Sequence, residues 1–289
     1  MWPQLVLSGI AIGSMYGLVA LGFQITYSVS NTMNFFQGVS VMLGAVLCYV
    51  FNITWGWPGA IAVPLTVALS CVFGLIIERF AVRPFAQNGS NSWLLTTIAL
   101  GIIVENLVMV TFGKEVRAYP SPLAATPIRI WGFGIFPIEL VIPVAGLAIA
   151  LVIRLVWTRT LWGKAMQAVC ENHDTARTMG IPVEQVIALS YAISTLLAGI
   201  SGMLIAPVAN VSATMGTLLG LKAFAAAIIG GLGNPWGVVL AGIAYGIVES
   251  LAAGIFGGSY REILGFAVVI VVLALRPNGL FGRAQVKKV

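Results

Sequence analysis

The first charged residue in this chain is Glu78 and the first basic one is Arg79. Everything before them offers water only hydroxyls and amides, which cannot cover a soluble domain, whose surface is about 25–35% charged. The deficit persists through all 289 residues, 59% of them hydrophobic and 8% charged, where soluble domains carry roughly 25%. A fold of this composition belongs largely in lipid.

Inside a bilayer only α-helices and closed β-barrels satisfy every backbone N–H and C=O. Continuous apolar runs of about 20 residues, rather than ten-residue alternation, select helices. The runs predict spans over 4–26, 33–53, 58–78, 92–112, 137–157, 186–206, 217–232, 237–256 and 262–276, nine crossings of one all-α transmembrane bundle covering 1–289. The start Met1-Trp2-Pro3-Gln4 lacks the basic flank of a secretory signal and reads as unprocessed.

Lys and Arg in short loops set orientation. Arg79 and Arg83 fall in one break, Arg154, Arg159, Lys164 and Arg177 in a second, and Arg276, Arg283, Lys287 and Lys288 at the end, so ten of fifteen share one side. Lys114, Arg117, Arg129 and Arg261 fall on the other, and Lys222 lies within a span. The N-terminus is predicted periplasmic and the C-terminus cytoplasmic. Cytoplasmic loop 158–185 and periplasmic loop 113–136 are then the two long ones, the latter carrying Pro120, Pro122 and Pro127 and ending in Trp131, Phe133 and Phe136. It reads as an ordered cap with an interfacial aromatic edge.

Gly9, Gly13 and Gly17 recur every four residues, as do Gly242 and Gly246, a spacing that lets membrane helices approach closely. The second span opens on Asn34-Phe35-Phe36-Gln37-Gly38. A polar, glycine-containing start suggests a broken helix, tolerated where it faces protein or a water-filled path. Asn34, Phe35, Gln37 and Gly38 are therefore pathway candidates, against the reading that Asn34 and Gln37 only join helices by hydrogen bonds. Ionisable groups in spans are costly and usually face a cavity or a partner, which adds Glu105 with its neighbour Asn106, Lys222 and Glu249. Lys222 reads as an interfacial lysine or as the ion-pair partner of Glu249, and Glu139, near an interface, as a snorkelling group.

Several chemistries are excluded. The Lys and Arg form no stripe or helix face for nucleic acid. Cys48, Cys71 and Cys170 have no CxxC spacing, so they read as packing residues rather than metal ligands or a disulfide. A lone histidine, His173, reads as an exposed loop residue, and no metal site is expected. Gly230-Gly231-Leu232-Gly233-Asn234-Pro235 lacks a following Lys-Ser or Lys-Thr and fits a tight turn. The phosphate-cradling G-x-x-x-x-G-K-[ST] occurs nowhere, so any ATP that drives this protein binds another subunit. In Gly163 to Pro182, Asp174 can cap a short helix, Gly180 can end it and Pro182 can start the next span.

That segment, with Gly163-Lys164-Ala165, Ala168, Glu171-Asn172, Ala176 and Gly180-Ile181, resembles the cytoplasmic loop of branched-chain amino acid ABC permeases. Further signatures follow the same order: Asn34 to Gly38, Glu78-Arg79 with Arg83-Pro84, Lys222-Ala223-Phe224 through Gly230-Gly231-Leu232-Gly233, and Arg276-Pro277 through Gly279-Leu280. The whole is similar to the smaller permease subunit of that family. The chain departs from it at Gln37, where the family usually has histidine, at Gln167, where it has arginine, and at His173 and Asp174.

The resemblance implies a multi-pass protein of the bacterial inner membrane, working as a heterodimer with a second related permease, two cytoplasmic ATPases that hold ATP and Mg, and a periplasmic substrate-binding protein. Membrane lipid is the remaining partner and no cofactor is expected on this chain. The solute implied is a branched-chain amino acid or a related small polar or organic-acid molecule. Coupling to the ATPases is assigned to Gly163, Lys164, Ala168, Glu171, Asn172, Asp174, Ala176, Arg177 and Gly180, with Ala165, Ala168, Val169, Ala176 and Met179 as apolar contacts. The rival is an ion-coupled secondary transporter, which also uses broken helices and midplane charges, but no inverted repeat is visible. A membrane enzyme would need a nucleophile or metal constellation that the spans lack.

Overall fold

The computed structural model describes residues 2–86, 91–130 and 133–282. In chain order the helices are α1 (Trp2–Ser30), α2 (Gln37–Thr54), α3 (Gly59–Ala86), α4 (Ser92–Thr111), α5 (Pro137–Arg159), α6 (Leu161–Glu171), α7 (His173–Thr178), α8 (Val183–Ala209), α9 (Met215–Gly230), α10 (Pro235–Phe256) and α11 (Arg261–Leu275). Among the described residues, eight segments are long and apolar enough to cross a membrane, α11 being counted from Gly258. The ninth apolar helix, α9, has 16 residues, or about 24 Å at 1.5 Å per residue, against about 30 Å of hydrocarbon.

Contacts between helix ends sort the loops into two sets. At one end Arg117 and Val211 exchange backbone hydrogen bonds of 2.8 Å and the Tyr119 hydroxyl donates to Asn52 at 3.1 Å. At the other, Thr32 meets Tyr191 at 2.7 Å, Arg83 meets Glu78, and the Leu280 N–H donates to Ile229 at 2.7 Å. Short as it is, α9 therefore runs from the first end to the second.

The central element is α1, which touches α5, α8, α9 and α10. Every residue from Gly13 to Thr26 is buried, so the helix is apolar all round because every side meets protein. Its closest neighbour is α10, and the two glycine rows face each other. A β-carbon on Gly13 would lie 2.7 Å from the Ile243 carbonyl, and one on Gly242 or Gly246 would strike the α1 backbone. By contrast α4 buries only Thr97, Gly101 and Val108, leaving Leu95, Ile103, Leu107 and Val110 exposed for lipid.

Within 113–136, Ile128–Ile130 and Phe133–Ile135 pair antiparallel, a short hairpin in an otherwise helical fold, the β-branched Ile128, Ile130 and Ile135 favouring extended backbone. Trp131, assigned to its aromatic edge, lies outside the described residues. So do Arg283, Lys287 and Lys288, on which part of the orientation rests. Glu139 does not snorkel. It accepts from Ser8 Oγ at 2.5 Å and caps the start of α5 through the Phe136 N–H at 3.4 Å.

Candidate functional site

The break between α1 and α2 is built from its own polar groups. Asn31 takes a positive φ of 53° after the last turn of α1, Asn34 Oδ1 accepts the Phe36 N–H at 3.2 Å, and the Asn34 carbonyl accepts the Gln37 N–H at 3.1 Å. Gln37 is fully buried and saturated. Its amide donates to the Ser194 carbonyl at 3.0 Å and the Val19 carbonyl at 3.4 Å, and its Oε1 accepts from Ser194 Oγ at 2.8 Å and from Asn34 Nδ2 at 3.5 Å. Gly22 leaves the room it occupies. Asn34 and Gln37 thus face protein and tie α1, α2 and α8 together.

Their neighbours face a cavity. Phe35 and Gly38 line a space of about 320 Å³ with Gly101 and Glu105 of α4 and Thr217 and Phe224 of α9. Phe35 and Phe224 rings lie 5.4 Å apart, and Thr217 Oγ1 donates to the Glu105 carboxylate at 2.7 Å across the space. Gly38 also lets α2 touch α9, since a β-carbon there would lie 2.5 Å from the Gly216 carbonyl. Of the eight pathway candidates, Phe35, Gly38 and Glu105 are brought together. Asn106 points out of the bundle and bonds its own helix at the Ile102 carbonyl, 2.8 Å away.

Lys222 and Glu249 form a separate cluster. The lysine is not interfacial: it is 4% exposed and ion-paired to Glu249, itself fully buried. Arg261 Nε reaches the same carboxylate oxygen at 2.9 Å and Glu262 lies 4.0 Å from the lysine. Paired this way, both charges avoid the cost of standing alone in a low-dielectric interior, and α9, α10 and α11 are pinned together.

At the opposite end α6 and α7 form a helical elbow. Thr160 Oγ1 caps α6 by accepting the Gly163 N–H at 3.0 Å. The cap of α7 is Asn172, whose Oδ1 accepts the Thr175 N–H at 2.9 Å, and not Asp174, which sits inside the first turn. Gly180 ends α7 at φ 81°, where its N–H donates to Arg177 and the Ile181 N–H to Ala176, both at 3.1 Å. This is the six-to-one and five-to-two pairing of a left-handed helix stop.

Val169 and Ala176 are buried against Val29, Val183 and Val186, with Ala165 packed on the same cluster. Val169 and Ala176 hold the elbow to α1 and α8 and are not available to a partner, a correction to their assignment as docking contacts, while Ala165 is half-buried. Lys164, Glu171, Asn172, Asp174, Arg177 and Gly180 are exposed, Met179 is 77% exposed, and Ala168 is half-buried. Gly163 presses on the Trp157 carbonyl, where no β-carbon fits, and Gln167 donates to that carbonyl at 2.6 Å. Burial, then the charge of Glu171, pushes the Cys170 thiol up to about 11, so it stays protonated and unreactive at physiological pH.

His173, expected to be an exposed loop residue, is instead half-buried at the start of α7, where its Nε2 bonds the Val29 carbonyl at the end of α1 over 2.7 Å. It also lines a polar space of about 370 Å³ with Thr32, Glu78, Arg83 and Arg177. Arg83 closes one wall with a two-pronged pair to Glu78, 2.9 and 3.1 Å, and reaches the Glu184 carbonyl at 3.3 Å.

Residues 5–273 match the family model described as branched-chain amino acid transport system / permease component. The chain is 29% identical to the high-affinity branched-chain amino acid transport system permease protein BraD of Pseudomonas aeruginosa, over 99% of this chain and 97% of the relative. It is 28% identical to the corresponding protein LivH of Escherichia coli K12, with the same coverage. A more distant likeness, 23% identical over 93% of this chain and 74% of the relative, is to the fructose import permease protein FrcC of Rhizobium meliloti.

Proposed function

Because the chain belongs to the family of branched-chain amino acid transport permease components, we propose that it is a membrane-spanning subunit of an ATP-driven importer in the bacterial inner membrane. The solute is a branched-chain amino acid or a related small polar or organic-acid molecule. The observation that carries the reading is the α6–α7 elbow, whose exposed face of Lys164, Glu171, Asp174, Arg177 and Met179 stands on a buried anchor shared with α1 and α8. An exposed helix on a rigid footing is what a partner ATPase needs to push against.

Force entering at α7 has a defined route. The elbow moves with α1 through the His173–Val29 bond and with α8 through Val183 and Val186. Ser194 of α8 holds Gln37, and Gln37 begins the helix whose first turn carries Gly38 next to Phe35 at the cavity. Movement at the elbow therefore changes the width of the cavity, half of a pathway that a second permease completes. In this reading two ATPases bind ATP and Mg, and a periplasmic binding protein delivers the solute. The N-terminus faces the periplasm and the C-terminus the cytoplasm, with all nine apolar helices crossing.

Affinity purification from native membranes in mild detergent is expected to recover a second permease and ATPase subunits at two per complex. Recovery of the chain alone, active in uptake, would replace this reading with an ion-coupled secondary transporter.

A further inference from the structure

A cavity of about 190 Å³ lies between α1, α5 and α10, near the end of the bundle that carries the elbow. Leu21 and Ala150 make its walls apolar, and Trp157 and Trp236 stand beside them. Exposed Leu151 and Leu155 on α5 and Leu240 on α10 flank the helices that form it, so the bundle presents hydrocarbon-seeking surface there. Thr158 also lines it, its hydroxyl donating to the Arg154 carbonyl at 2.9 Å, and two further polar groups break the lining.

The first is Gln24, 3% exposed. Its Nε2 donates to Ser28 Oγ at 2.9 Å, and Ser28 Oγ in turn donates to the Leu232 carbonyl at 3.3 Å. With its one proton committed, the serine must accept from the amide, which fixes which way the amide points. Gln24 Oε1 is left as a buried acceptor without a donor among the described residues, a state that costs about 1–3 kcal/mol unless something outside the chain supplies one. The second is Arg154, the cavity's one charged lining residue, exposed and held 5.3 Å from the centre of the Trp236 ring. No carboxylate among the described residues pairs with it. The free N–H groups at the start of α10 are already taken by Asn234 Oδ1, so Arg154 alone offers a handle for an anion.

An apolar slot, a cation beside interfacial tryptophans and a buried acceptor call for one amphiphile with hydrocarbon, negative charge and a hydrogen-bond donor. Basic pockets between membrane helices bind anionic headgroups. We propose that this cavity binds a phospholipid with a hydroxylated anionic headgroup, of the phosphatidylglycerol class. The phosphate sits on Arg154, the Gln24 side chain turns toward the cavity so that Oε1 accepts from a headgroup hydroxyl, and the first acyl carbons lie against Leu21 and Ala150. Phosphatidylethanolamine supplies a donor but no net charge and ranks second. Phosphatidylcholine supplies neither and ranks last.

The test is lipid titration of the full-length protein, purified from membranes and delipidated, followed by native mass spectrometry. The wild type is expected to bind one phosphatidylglycerol per chain and to bind phosphatidylcholine, which shares the phosphate but lacks the headgroup hydroxyl, about fivefold more weakly, the factor that one neutral hydrogen bond supports. Arg154→Gln is expected to lose about tenfold for phosphatidylglycerol, the factor of one charge-assisted hydrogen bond, and Gln24→Met to bring the two lipids within about twofold. Arg154 is exposed, so its variant carries the test even if the buried substitution fails to fold. Equal binding of both lipids by the wild type, phosphatidylglycerol binding unchanged by Arg154→Gln, or competition by glycerol 1-phosphate at equal concentration would each overturn the proposal. The last would mark a site for a soluble anion.

Discussion

Replacing Gly180 by valine is expected to leave membrane insertion normal and to abolish most uptake. The glycine stands at φ 81° with nothing within 4 Å of a β-carbon, so the substitution adds no clash and acts only through the backbone. A left-handed conformation costs an ordinary side chain roughly 1–2 kcal/mol, and a β-branched one more. Set against a helix of six residues, which cannot hold itself together alone, that penalty weakens the placed elbow against displaced arrangements by a factor of about 5–30. Uptake is expected to fall by a similar factor, with ATP hydrolysis no longer stimulated by loaded binding protein. Gly180→Asn, which tolerates the left-handed region, should retain most activity. Wild-type uptake and normal stimulation in Gly180→Val and in Glu171→Arg would remove the elbow from the coupling route.

Glu249→Gln is expected to do more damage, and of a different kind. The carboxylate is fully buried and joins Lys222 on α9 to Arg261 on α11. Without it Lys222, 4% exposed, has only Glu262 at 4.0 Å. Breaking a buried pair by removing one partner costs about 3–5 kcal/mol, a large part of the roughly 5–15 kcal/mol that holds a domain folded. The variant should show strongly reduced folded protein by size-exclusion chromatography in detergent. Removing both charges, in Lys222→Met with Glu249→Gln, should restore most of it, because Arg261 is partly exposed and can turn toward water. Uptake separates two roles. If the cluster only pins helices, the double variant transports; a stable double variant without transport would make Lys222 and Glu249 pathway groups.

The parts of this molecule legible in its sequence are those set by local physics. Apolar runs placed the long helices, because a backbone in hydrocarbon has no alternative to helix at those lengths. Gly9, Gly13 and Gly17 announced a close approach, and Gly242 and Gly246 supplied the opposing face. Gly180 stops α7 with the backbone its position suggested. What stayed hidden was pairing across long separations. Nothing near Gln37 points to Ser194, 157 residues away, so a saturated interhelical amide reads from sequence like a pathway group. The same distance problem left Lys222 with two readings until α9 and α10 were side by side. The elbow was misread for another reason: Gly163, Met166 and Val169 recur every three residues and mark an inward stripe, yet a docking helix needs an apolar stripe as well. Only the neighbouring helices decide which side it faces. The cap fell on Asn172 rather than Asp174 because both residue types cap equally well.

The central claim is that ATP hydrolysed by partner subunits reaches the cavity through α6 and α7. Its most direct measurement is solute uptake into proteoliposomes holding the purified complex, with loaded binding protein on the α1 N-terminal face and ATP on the elbow face. The account predicts uptake that requires ATP, persists when proton and sodium gradients are collapsed, and disappears in Gly180→Val. Uptake by this chain alone, driven by an ion gradient and indifferent to ATP, would contradict it.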